Sequence, residues 1–291
     1  MAETVTIATE LFEAEIAFAG AELIGLRQHG GEELMHSGDP AWWSGRAPLL
    51  FPNVGALNGD VYRLDGRAFA MPKHGFARRS RFELVESSAN AARFRLTDSA
   101  ETRAIYPFAF ALDMAFVGEG ATLTMTATVH NRGEVDMPAS FGFHPAFRWP
   151  LPGASGRAGH RLVFERPEPE PLCKLTPGGL MTADARPSPV DGDTLELNDE
   201  LFTADALIWD HPASRRLRYE GDGPVALDIG FPDAEWLGVW TKPGAPFVCV
   251  EPWWGHADPA GYEGEIWDKP GIIRFAPGES RAFAMQVTLT R

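Results

Sequence analysis

Strand-like runs of apolar and polar residues recur along the chain with turn signals between them, and the three-to-four-residue spacing of an amphipathic helix is nearly absent. Residues 122–129 are the clearest case. They set the hydroxyls of Thr122, Thr124, Thr126 and Thr128 on one face and Leu123, Met125, Ala127 and Val129 on the other, the mark of a half-buried strand. Similar runs predict strands over 4–8, 12–18, 81–86, 92–97, 108–116 and 121–130 in the first half of the chain. Later ones fall at 206–208, 216–219, 225–230, 237–241, 247–250, 271–275 and 282–290. Turn markers such as Gly118-Glu119-Gly120, Asn131-Arg132-Gly133 and Ala276-Pro277-Gly278-Glu279 stand between them. Many short strands with frequent turns and few short helices describe an all-β sandwich or barrel. The Pro- and Gly-rich stretch 150–189 contains apolar pieces such as Leu162-Val163-Phe164. It reads as an excursion across one domain rather than a linker, so residues 1–291 are expected to form a single domain.

Composition changes this picture little. Hydrophobic residues make up 44% of the chain and charged residues 23%, enough apolar matter for a sizeable core. The net charge of −14 argues against nucleic acid and membrane surfaces as partners, because both carry negative charge. A strongly anionic substrate would require a local basic pocket. Cys173 and Cys249 stand far apart, amid apolar or Pro-rich sequence, and provide neither a disulfide framework nor a metal quartet. No basic-then-apolar leader precedes the first strand, and no apolar run approaches the ~18 residues of a membrane helix. A reduced, cytoplasmic protein, monomer or homodimer, is the expectation.

Candidate chemistry concentrates in a few places. His29, His36, His160 and His256 sit among Gly, Ser or charged residues and are expected to be solvated loop positions, with His130 similarly incidental at a strand end. His74 lies in Met71-Pro72-Lys73-His74-Gly75-Phe76-Ala77-Arg78, a tightly defined loop whose Arg78 suits anionic or hydroxyl-rich groups. His144 lies in Phe141-Gly142-Phe143-His144-Pro145-Ala146-Phe147, where desolvation lowers a histidine's pKa. It serves equally well as a core histidine bonded to a carbonyl. Glu251 ends an apolar strand in Phe247-Val248-Cys249-Val250-Glu251-Pro252-Trp253-Trp254, where an apolar wall raises a carboxyl towards general-base values. Asp205, ahead of the apolar Ala206-Leu207-Ile208, reads by itself as turn chemistry. No nucleophile elbow, phosphate loop or dinucleotide fingerprint is present. The set suits proton transfer on a sugar without a covalent intermediate.

The ordered combination of Pro72-Lys73-His74-Gly75-Phe76-Ala77-Arg78, the His144 segment and the Glu251 segment resembles the aldose 1-epimerase (mutarotase) family, in its bacterial LacX-like branch. Leu49-Leu50-Phe51-Pro52-Asn53-Val54-Gly55 and Ala204-Asp205-Ala206-Leu207-Ile208 fit the same order. The resemblance implies a galactose-mutarotase-like β-sandwich, a "supersandwich" of antiparallel sheets, with a small sugar in a cleft on a sheet face and no cofactor or metal. It implies Glu251 as general base, His144 as general acid, His74 as a second, substrate-polarising histidine and Asp205 as a binder of ring hydroxyls. Trp253 is a stacking candidate from its position alone. Many members carry an arginine after the Gly of the loop that reads Val54-Gly55-Ala56 here, so Arg46 or Arg78 is the expected replacement for that cation.

Three other readings compete. A non-catalytic sugar binder would keep Trp253 and Asp205 without needing the His144–Glu251 pair. A cupin-type metalloenzyme would use His74, His144 and Glu251, but the close His-x-His pair usual in such sites is absent. A glycosidase would need a second catalytic acid, for which only Asp205 offers itself.

Overall fold

Two large antiparallel sheets face each other in the computed structural model, which describes residues 3–290. The first has nine strands in the order Thr194–Glu196, Arg161–Phe164, Arg216–Glu220, Ala226–Gly230, Ser280–Thr290, Thr122–Asn131, Phe110–Glu119, Ala91–Thr97 and Glu83–Ser87. The second runs Met181–Arg186, Leu172–Leu175, Leu207–Asp210, Trp236–Trp240, Phe247–Trp254, Phe141–Phe143 and Leu49–Leu50. Ala146–Arg148 is its eighth strand and also pairs with Phe247–Trp254. A three-stranded sheet of Thr4–Ala8, Phe12–Ala17 and Leu23–Gln28 stands beside them. The architecture is the expected all-β, antiparallel sandwich.

Side-chain alternation explains the layering. Along Thr122–Asn131 every second residue is buried, and Leu123, Met125, Ala127 and Val129 point into a core that runs from Ile7 to Leu289. Full burial of each such aliphatic or aromatic side chain contributes about 1.5–3 kcal/mol. Phe247–Trp254 is buried at every residue, because both faces of this strand are covered. Val248, Val250 and Trp254 face the main core, whereas Cys249 and Trp253 belong to smaller apolar clusters on the opposite face. That opposite face carries the candidate site.

The stretch 150–189 crosses the sandwich. Arg161–Phe164 joins the nine-stranded sheet, and Leu172–Leu175 and Met181–Arg186 join the other. The sole α-helix among the described residues, Ala100–Ile105, is held by a capping box between Ser99 and Thr102. Both cysteines are free.

The expected solvation of three histidines is wrong. His36, His160 and His256 are all buried. His36 bonds the Trp43 carbonyl through Nε2 at 2.8 Å and packs on Phe247 at 4.4 Å between ring centroids. His160 Nε2 accepts from the Leu151 N–H at 3.1 Å. His256 donates from Nδ1 to the Ala257 carbonyl at 2.7 Å and lies 4.4 Å from the Trp236 ring. Neighbouring Gly and Ser signalled loops correctly, but other elements close over those loops. His29 is exposed as expected, and His130 bridges Ser280 and Asp113 on the outer face of the large sheet.

Candidate active site

The register of one strand brings two titratable groups together. Phe141–Phe143 and Ala146–Arg148 both pair with Phe247–Trp254, with Gly142 opposite Trp253 and Ala146 opposite Cys249. Continuing that register places His144, at the break between the two short strands, opposite Glu251. Their side chains meet, Nε2 to Oε2, at 3.2 Å. Both are buried, His144 with 7% and Glu251 with 2% of its surface exposed. Desolvation dominates both titrations: it pushes the Glu251 carboxyl well up and the His144 ring down to about 3. Lys73 acts against the rise at Glu251 and adds to the fall at His144. Burial thus favours the uncharged form of each group, and passing a proton from the carboxyl to the ring leaves the net charge of the pair unchanged.

Two glycines make room for the indole beside this pair. A Cβ on Gly142 would lie 2.7 Å from Trp253 Cδ1, and one on Gly238 would lie 2.6 Å from its Cζ2. Both flank Trp253 on the neighbouring strands, so the ring lies across backbone that carries no side chain. Its N–H is buried without an acceptor in hydrogen-bonding geometry, yet the group is near enough to Glu251 to oppose the carboxyl's rise slightly.

His74 is presented by a laced loop. Its own N–H bonds the Gly55 carbonyl at 2.9 Å, and its Nδ1 accepts from the Gly55 N–H at 3.1 Å. An Nδ1 that accepts leaves the ring proton on Nε2, so neutral His74 is a donor at its far nitrogen. Desolvation, then the neighbouring His144, Lys73 and Arg78, hold His74 well below the ordinary histidine range. The two imidazoles stand edge to face at 5.8 Å. His74 and Gly75 both adopt left-handed backbone, which lets the loop turn against Phe51.

These groups line one cavity of about 790 Å³, of a size suited to a small ligand. Asp205 reaches it from the residue pair ahead of Leu207–Asp210, in left-handed backbone, with Oδ1 accepting from the Ala206 N–H at 2.8 Å. Arg78 and Trp253 line it as well. Arg46 does not: its guanidinium donates to the Ile24 carbonyl, and its backbone N–H to Glu22. The structure thus brings together every residue singled out from the sequence except Arg46.

Sequence reasoning missed Trp43, Lys73, Trp240 and Lys242, which also line the cavity. Trp43 packs at a tilt against His144 at 4.8 Å between ring centroids, and Trp240 closes its edge at 5.9 Å. The Trp42-Trp43 doublet between Gly38 and Gly45 was a visible signal, since bulky indoles in a loop need something to cover. Lys73 stands directly before His74, and its ammonium lies close enough to Gly179 that a Cβ there would sit 3.2 Å from it and 3.7 Å from Ala56 Cβ.

His144, Cys249 and Glu251 bring potential metal-ligand atoms within 4.8 Å of one another. Burial, then Glu251, raises the Cys249 thiol well above its ordinary range, so it stays protonated and a poor ligand. The His74 nitrogen nearest the backbone is already taken by Gly55. These donors fit proton transfer better than ion binding.

Behind the cavity, a buried Lys269–Asp258 pair ties the wall to the Ala56–Gly59 turn, with Asp258 Oδ2 accepting from the Asn58 N–H at 2.9 Å. The adjacent His256 is held down to about 4, chiefly by desolvation and then by Lys269. A histidine depressed from 6.5 contributes stability that is complete above pH 6.5 and lost as pH falls towards 4, about 3 kcal/mol in all. Urea unfolding between pH 7 and 4 is expected to show a smaller loss for His256→Gln, whose amide can still donate to Ala257.

Similarity to known proteins gives the family and agrees with the fold. LacX from Lactococcus lactis subsp. lactis, in its chromosomal form, is 29% identical over 299 residues, covering 98% of this chain and 99% of LacX. A galactose mutarotase related enzyme from Lactobacillus acidophilus superposes with a TM-score of 0.94 at 27% identity, over 99% of this chain and 98% of that one. A galactose mutarotase-like protein from Lactobacillus casei superposes at 0.91 with 29% identity, over 99% and 100%. The family profile described as aldose 1-epimerase matches residues 3–274, and the chain belongs to that family.

Proposed function

We propose that the chain is an aldose 1-epimerase that interconverts the α and β anomers of a small aldose through ring opening. The observation that carries this reading is the contact of His144 Nε2 with Glu251 Oε2 at 3.2 Å on the wall of the cavity. A buried pair that shares one proton can take a proton at one oxygen of a hemiacetal and return one at the other.

Transfer of the shared proton to His144 leaves Glu251 as the base for the anomeric hydroxyl, with Lys73 nearby favouring the carboxylate. His144 then protonates the ring oxygen, the C1–O5 bond opens to the aldehyde, the C1–C2 bond rotates, and closure reverses both transfers. His74 donates from Nε2 to a sugar oxygen, Asp205 accepts from ring hydroxyls, and Trp43 or Trp253 packs on the apolar C–H face. Mutarotation proceeds slowly in water by itself, so acid–base help of about 10²–10⁴-fold per positioned group is sufficient. Magnetisation-transfer NMR between anomer signals tests the reading directly. Exchange above the buffer rate on at least one aldose supports it, and buffer-rate exchange across a panel of free, phosphorylated and uronic sugars removes it.

A further inference from the structure

The cavity reverses the charge of the molecule that contains it. The chain carries −14 overall, yet Lys73, Arg78 and Lys242 all face the cavity. Against them stand Asp205 and Glu251, and burial favours the uncharged form of the Glu251 carboxyl. Elsewhere many basic side chains are matched to carboxylates, as in Arg148–Glu32, Arg157–Asp199 and Arg218–Asp228, and others such as Arg46, Arg186 and Arg215 donate to backbone carbonyls. The cavity cations are not so matched. Lys242 lies over the Trp42 ring at 5.8 Å, and Arg78 is half-buried beside Phe76 and Ala77. Glu22, the one carboxylate whose charge is felt at Arg78, instead accepts from the Arg46 and Ala47 N–H groups. The Lys73 ammonium lies beside Gly179, where the absence of a side chain leaves it room.

Cations that outnumber the cavity's carboxyls and form no ion pair with them are prepared for an anion brought by the ligand. We propose that the substrate is a sugar bearing an anionic group, a phosphate ester or a carboxylate, held by Lys73, Arg78 and Lys242. This rests on the epimerase reading for the reaction and adds the substrate class. Lys73 is the central specificity residue, since its charge is felt at both members of the acid–base pair and its ammonium lies beside Gly179 on the cavity wall.

Anomer exchange of glucose 6-phosphate and galactose 6-phosphate would be compared with that of free glucose and galactose, and of glucuronate and galacturonate. Wild type and Lys73→Gln/Lys242→Gln are measured with each, and binding is followed separately by calorimetry. The expected result is a kcat/KM at least about tenfold higher for one anionic class than for the free sugars. A lost charge-assisted hydrogen bond should reduce that preference by about 10–100-fold in the double variant. The preference should also shrink as salt rises. Which anionic class gains tells phosphate from carboxylate. Equal or better turnover of free sugars overturns the inference and leaves the epimerase reading intact. Tight, Lys73-dependent binding of the sugar phosphate or uronate without any exchange supports the anion site and removes the epimerase reading. A preference unchanged by the double variant overturns the assignment to these lysines.

Discussion

Glu251→Gln is expected to slow anomer exchange by about 10²–10⁴-fold while leaving the fold intact. The amide copies the carboxyl's shape, so it keeps the packing of Trp253 across Gly142 and Gly238. It can also still bond His144 Nε2, but it cannot take a proton from a hydroxyl. Stability separates this loss from misfolding. Burial raises the Glu251 carboxyl well above its ordinary value, so wild type is stabilised relative to an ionised carboxylate at low pH and loses that contribution as pH rises above about 4.5 and through the folded value. The Gln variant has no charge to bury and should match or exceed wild type in alkaline thermal unfolding. The pH dependence of wild-type kcat/KM carries the same physics. His144 accepts a second proton only near 3, so the acid limb should fall well below the 6.5 of a free histidine. Exchange at wild-type rate in Glu251→Gln would show that this carboxyl is not the base.

Gly75→Ala is expected to be the most damaging single methyl in the molecule. Gly75 has φ +68°, which costs an alanine about 1–2 kcal/mol. The added Cβ would also stand 2.2 Å from the Phe51 carbonyl oxygen. That oxygen accepts from the Phe76 and Ala77 N–H groups at 3.0 and 3.1 Å, so it cannot retreat without breaking both bonds. Forced displacement in a packed region adds about 1–3 kcal/mol. Because Gly75 follows His74, the shift should also move that imidazole out of the cavity and lower exchange. Gly66→Ala is the control: its φ is +74°, but nothing lies within 4 Å of the new methyl. Thermal unfolding should place Gly75→Ala clearly below Gly66→Ala. Equal stabilities would mean that the clash relaxes freely and that the loop does not depend on this glycine.

Arg46 shows how far motif spacing carries. The sequence pointed to a missing cation after Gly55 and offered Arg46 or Arg78 to replace it. Arg46 is turned towards Ile24, whereas Arg78 and Lys73, which is adjacent to His74 in the sequence, line the cavity. Proximity along the chain does not reveal which of several basic side chains fills a gap left by another segment.

Local chemistry determined a good deal. Alternation with period two set which residues of 122–131 point inward, because successive side chains of a strand leave on opposite faces. A Glu ending an apolar run and a His between Phe and Pro announced desolvated, titratable groups. Tertiary structure alone decided that the two touch, since the pairing of Gly142 with Trp253 and Ala146 with Cys249 sets who faces Glu251 across more than a hundred residues. It also decided the burial of His36, His160 and His256, the packing of Trp43 against His144, and the gathering of Lys73, Arg78 and Lys242. A residue's direction is fixed by its neighbours two positions away, whereas its partner and its solvent are fixed by strands and loops that arrive from elsewhere in the chain.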